Sequence, residues 1–236
     1  AWLLPRVKRS VWWGDDGAEI KRYYGSRPQN TEFYFSESLT YTVAKESGRR
    51  FGYLHDDSIF GHKGSVLIPK RKIWNALSYT NSQLFTYLML VQTTERMWEV
   101  GQVSKVPWRD EFEVMEELEH LSREAVGCLI SKRQYDFVSP HYSGPVLLDA
   151  LGENDTLGLY DHPHRELRDE LSLDSPSSTA DTGASLSELG TSATTHLERI
   201  EANLQDCADR IDEAVFNGFD ISYGRALVFT GNYGQR

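Results

Sequence analysis

Apolar residues recur at helical spacing after Pro69 and alternate with polar ones before it, and that change of period divides the chain. Ile73, Trp74 and Leu77, then Leu84, Phe85, Leu88 and Val91, each mark one face of a helix. Between them Asn81 or Ser82 can accept a backbone N–H and cap the second helix. Val114, Leu118, Leu121, Ala125 and Leu129 extend the same spacing into a long amphipathic helix over 111–134. Upstream, Phe33 and Phe35 flank Tyr34, while Leu39, Tyr41 and Val43 alternate with Thr40 and Thr42, the period of half-buried strands. Two more short strands are predicted at 58–60 and 65–68, the second halted by Pro69. Residues 11–20 read as a hairpin around Gly14-Asp15-Asp16-Gly17, since Gly and Asp tolerate positive φ.

The remainder is punctuated differently. Residues 172–195 are Ser, Thr, Ala and Gly with few apolar anchors, the composition of a flexible linker. Beyond them Leu197, Ile200, Leu204, Ile211 and Val215 form a heptad-like stripe on a helix that Gly218 should end. Such a stripe must be covered, either by the helix over 111–134 or by a partner surface outside the chain. The fold class is therefore α+β. A mixed module spans 1–110, a helical extension 111–171, a linker 172–195 and a C-terminal helical segment 196–236.

A chain of 236 residues with 39% apolar and 12% aromatic content can bury a core as one large domain or two modest ones. Arg6, Lys8 and Arg9 interrupt the N-terminal apolar run, so no signal peptide and no membrane partner is expected. Cys128 and Cys207 lie far apart without His or Cys at ligand spacing; two reduced, buried thiols in a cytoplasmic protein are the expectation. Eight Lys stand against seventeen Arg. With the acidic surface, that composition fits a high-salt source or an ordinary acidic bacterial protein.

The net charge of -10 is unevenly spread. Through Asp110 there are 16 Lys/Arg against 11 Asp/Glu, and from Glu111 onward 9 against 24, giving +5 and -15. A basic module joined to an acidic one is what this asymmetry describes. Its cations cluster as Arg6/Lys8/Arg9, Lys21/Arg22/Arg27, Arg49/Arg50, Lys63 and Lys70/Arg71/Lys72, interleaved with Trp12, Trp13, Tyr23 and Tyr24. Cations position a phosphate backbone and aromatic faces can stack on sugars or on an unstacked base. Candidate DNA-facing residues are Lys21, Arg22, Arg27, Arg49, Arg50, Lys63, Lys70, Arg71 and Lys72.

Other constellations carry less. Gly61-His62-Lys63-Gly64 lacks the spacer of a phosphate-binding loop and precedes a strand, so it reads as a tight turn presenting Lys63. Asp161-His162-Pro163-His164 has metal-ligand types without a supporting pair, and Asp56, Asp57 and Glu46 read as turn residues. No Gly-rich strand-turn could hold S-adenosylmethionine. No Asn/Asp-Pro-Pro-aromatic tetrad is present to hold a flipped base. Neither a catalytic set nor a bound cofactor or metal is expected within the chain.

The segment WWGDDGAEIKRYYGSRPQNTEFYFSESLTYT, then GSVLIPKRKIWNALSYTNSQLF, then VGQVSKVPW, resembles in that order the C-terminal region of the PglX-type adenine-specific DNA methyltransferases of BREX phage-defence systems. These are relatives of fused type II restriction-modification enzymes. IDEAVFNGFDIS is similar to the family's closing helix. Ser38 stands where the family has Gly, Thr80 where it has Leu, and KRQYDFVSPHY replaces a Trp-Asp-Ser-Phe-Glu segment, marking a divergent branch. The resemblance implies a target-recognition domain that binds double-stranded DNA. An S-adenosylmethionine-dependent catalytic domain upstream of Ala1 would then methylate adenine N6, with other defence proteins as further partners. The alternatives are the specificity subunit of a type I restriction system and a non-catalytic interaction module.

Overall fold

The structure is a computed structural model and describes residues 3–5, 10–44, 49–61, 64–70, 72–93, 97–139, 142, 144–147 and 185–223. The chain divides into two compact units, 1–115 with 215–236, and 116–214. The first is mixed α+β and the second is built on helices.

The first unit is organised on a three-stranded antiparallel sheet, β1 (Ser38–Thr42), β2 (Phe51–Leu54) and β3 (Gly64–Leu67), in the order β2-β1-β3. Tyr41 lies opposite Phe51 and Leu39 opposite both Tyr53 and Leu67. The alternation of β1 sends Leu39 and Tyr41 into the core as expected, whereas all four residues of β2 are buried. A strand covered on both faces shows no period of two, which is why the pattern passed over it. The strands expected at 33–35 and 58–60 do not form. Thr31–Phe33 is a 3-10 turn, and Ser58 closes a turn at Asp56-Asp57 by donating its N–H to the His55 carbonyl at 3.2 Å.

Leu3 pairs with β2 in parallel, its N–H donating to Phe51 O (2.7 Å) and its carbonyl accepting from Tyr53 N (2.8 Å). Gly52 permits this approach. A Cβ there would stand 3.0 Å from Pro5 Cδ and 3.1 Å from Pro5 N.

Three helices follow. Ahead of the sheet lies α1 (Gly14–Arg22); after it come α2 (Ile73–Thr80) and α3 (Gln83–Gln92). Of the two residues the sequence offers as a cap, Ser82 is the N-cap of α3, its Oγ accepting from Phe85 N at 3.1 Å. Its neighbour Asn81 turns inward. Asn81 Oδ1 accepts from Phe51 N (3.2 Å) while its Nδ2 donates to Phe51 O (3.0 Å) and to Leu77 O (3.0 Å). The side-chain amide thus pairs with β2 as a strand backbone would. Phe51 itself packs against Tyr41, Phe85 and Trp98. The chain then returns to the sheet, with Met97 bridging Ala44 and Trp98 N donating to Val43 O, before α4 (Val100–Val103).

A second aromatic cluster surrounds Tyr79, which meets Phe85, Trp108, Phe112 and Phe219. Its hydroxyl donates to Pro107 O, and burial pushes that hydroxyl above the usual tyrosine range. Asn75, fully buried, holds the 3-10 turn Asp110–Val114 by donating to Phe112 O (2.7 Å) and Met115 O (2.8 Å).

In the second unit α5 (Glu116–Arg133) starts later than the spacing predicts, so Val114 is exposed rather than part of the buried stripe. The last helix, α6 (Leu186–Gly218), starts earlier than expected. Residues 186–195 are therefore helical and not linker; 172–184 lie outside the described residues. Ser185 and Glu188 form a capping box, Ser185 N donating to Glu188 Oε2 (2.7 Å) and Glu188 N to Ser185 Oγ (3.4 Å). Lys132 pairs with Glu201 and Arg210 with Glu117, so α5 and α6 run antiparallel. Ile200 and Ile211 are buried as expected, with Leu118, Leu121 and Ala125 of α5 also sealed from water. Cys128 and Cys207 are free and buried, and burial pushes their thiols up to about 11 and about 12.

The helix α6 stops at Gly218, but the glycine is not the left-handed residue expected to end it. The left-handed residue is Asp220 (φ 58), with Ile221 N bonded to Phe216 O and Asp220 N to Asn217 O, a Schellman closure. Gly218 instead makes room, since a Cβ there would lie 2.3 Å from Phe112 Cε1. Among the described residues no helix is long and apolar enough to cross a membrane.

Asn81→Ala should lower stability by about 2–4 kcal/mol, because it strands the buried N–H of Phe51 as well as removing the bonds. A denaturant midpoint shifted down at unchanged slope is the expected reading. Asn81→Asp, which cannot donate to the Phe51 carbonyl, should cost at least as much.

Candidate nucleic-acid interface

The cations singled out in the sequence meet three different fates. Lys21, Arg22 and Arg27 are exposed on and after α1, and Lys70 and Lys72 are exposed between β3 and α2. Arg49 is half-buried. Lys63 and Arg71, with Arg6, Lys8, Arg9, Glu46, His162 and His164, lie outside the described residues.

Arg50 is a correction. It is 4% exposed and belongs to the core, its guanidinium lying 3.8 Å over the Trp98 ring and donating from Nη1 to Val43 O at 2.9 Å. Desolvation lowers its pKa to about 10, still far above neutrality. The planar group is spent fastening the strand-end carbonyl to Trp98, so it cannot face DNA.

The approach to α1 departs furthest from expectation. No hairpin forms at 11–20. Positive φ does occur where Gly and Asp signal it, at Asp15 (φ 55), Asp16 (φ 52) and Gly17 (φ 69), but as three successive left-handed residues that run into a right-handed turn. Each non-glycine residue there costs roughly 1 kcal/mol or more, so something must hold the turn. Lys21 donates to Asp16 at 2.7 Å and sits 5.6 Å over the Trp13 ring. Held by that ammonium, the Asp16 carboxyl is kept below the usual carboxylate range. Trp13 in turn meets Tyr34 and Phe35 edge-on, and Tyr34 meets Phe60.

The expected turn at Gly61–Gly64 is present, Gly64 N donating to Gly61 O at 2.9 Å. A Cβ would meet nothing within 4 Å at Gly61 and nothing closer than 3.7 Å at Gly64, so neither position is closed to a side chain by crowding.

Exposed aromatic residues were legible only as company for the cations. Trp12 is 76% exposed, Tyr23 69%, and Tyr24 wholly so. Among the described residues no group of three or more His, Cys, Asp or Glu is placed to hold a metal ion.

Arg50→Lys separates the two roles for that residue. Charge is kept but the flat stack is lost, so stability should fall by about 2–3 kcal/mol, while the salt dependence of any DNA binding by the folded protein should stay unchanged. Thermal or denaturant unfolding of the variant reads the first quantity, and a salt titration the second. No protein-family model matches the chain, and no curated protein matches it.

Proposed function

We propose that this chain is the DNA target-recognition portion of a site-specific adenine-N6 methyltransferase of a phage-defence or restriction-modification system. The first unit would bind duplex DNA for a catalytic domain that uses S-adenosylmethionine upstream. One observation carries the DNA-binding part. The division of charge follows the division of the structure: residues 1–115 with 215–236 hold 18 Lys/Arg against 14 Asp/Glu, while 116–214 hold 7 against 21, or +4 and -14. Phosphate attracts the first and repels the second.

Within the first unit Lys70 and Lys72 emerge where β3 gives way to α2, two elements fixed by the sheet and by Asn81. A rigid origin suits them to a phosphate backbone at defined register. The adenine specificity and the defence context rest on the motif order of 12–108 alone.

Lys70→Gln with Lys72→Gln should weaken binding to all duplex sequences alike and reduce the slope of log K against log salt by about 0.9 for each phosphate no longer neutralised. Unchanged affinity and slope would remove the pair from the interface. Exchanging 11–108 between two relatives should carry the methylation site with it; a site that follows the catalytic domain instead overturns the assignment.

A further inference from the structure

The exposed rings of the α1 region are not loose. A Cβ at Gly14 would stand 2.8 Å from Trp12 Nε1 and one at Gly25 would stand 2.8 Å from Tyr23 Cε1, so each ring rests against a glycine backbone. Tyr23 is further set by a turn in which Ser26 N donates to Tyr23 O at 2.9 Å. Each ring therefore has one side seated on glycine, yet Trp12 and Tyr23 remain mostly open to water. Trp13, between them in sequence, is used for anchoring: a Cβ at Gly17 would lie 2.7 Å from its ring, and its edge contacts reach Tyr34 and Phe35.

Charge bears on what such rings would hold. Residues 11–30 carry Lys21, Arg22 and Arg27 against Asp15, Asp16 and Glu19, three against three, so the segment is locally neutral. Lys21 is already committed to Asp16, which leaves exposed Arg22 beside Tyr23 and Arg27 two residues beyond Gly25. A continuous duplex hides its base faces and offers mainly phosphate, which a neutral segment attracts weakly. A strand with unpaired bases offers flat π-faces at the spacing of a nucleotide chain, with phosphates for the two arginines.

We propose that the segment from Trp12 to Arg27 is a stacking platform for unpaired nucleotides, with Trp12 and Tyr23 each taking a base face and Arg22 and Arg27 the flanking phosphates. It rests on the reading of this unit as DNA-binding and adds a ligand class to it, single-stranded or locally unpaired DNA.

The test uses the full chain with a fluorescein-labelled oligothymidine of about twelve nucleotides and a duplex of the same length. Trp12→Ala and Tyr23→Ala should each weaken oligothymidine binding about tenfold, Tyr23→Phe should keep it, and duplex affinity should stay unchanged. Lys70→Gln with Lys72→Gln should show the converse. Oligothymidine affinity unmoved by the two alanine variants, with duplex binding intact, overturns the platform and leaves the duplex reading standing. Ring-dependent binding of oligothymidine without duplex affinity supports the platform and removes that reading. Failure to bind either ligand overturns both.

Discussion

The side chain of Asn81 stands in for a missing strand. Its amide offers one donor and one acceptor in a plane, the same pair that a backbone peptide presents, and both are directed at Phe51. The Phe51 carbonyl is shared between Asn81 and the Leu3 N–H, while the Phe51 N–H donates to Asn81. Buried groups of this kind cost more to leave unmade than they return when made, so the break between α2 and α3 cannot slide along β2. With its backbone so fixed, the Phe51 ring is presented to Tyr41, Phe85 and Trp98, and the core grows outward from there.

What the sequence disclosed follows from how local each cause is. Helices α2 and α3, the Ser82 cap and strand β1 depend on periodicity and on one short-range bond, and all are legible. Strand β2 is not, because burial on both faces erases alternation. The early start of α6 was signalled by Ser185-x-x-Glu188, a capping box overshadowed by the Ser and Thr around it. Residues 14–17 show the limit of turn chemistry: Gly and Asp announce positive φ, but only the clamp of Lys21, Asp16 and Trp13 decides that the chain coils instead of reversing.

Candidate site residues divide along the same line. A run of basic letters cannot show which cation has found an aromatic ring and a carbonyl, and Arg50 has found both. Arg22, Arg27 and Lys70 remain at the surface, where the sequence placed them. Gly218 and Gly52 make the complementary point. Neither needs a positive φ; each is glycine because a ring or a backbone passes too close for a methyl group.

The second unit accounts for its acidity by geometry alone. On α5 the first turn carries Glu116, Glu117 and Glu119 and the last carries Lys132 and Arg133, the order that complements the helix dipole. The ion pairs to α6 are exposed and therefore weak. Cohesion comes instead from small and branched residues at the seam, Ala125, Cys128, Ile200, Cys207 and Ala208, whose thiols are held protonated by burial and pack as apolar groups. A seam that does not rely on charge leaves the outer acidic residues free to vary, so their accumulation costs the packing of the two helices little.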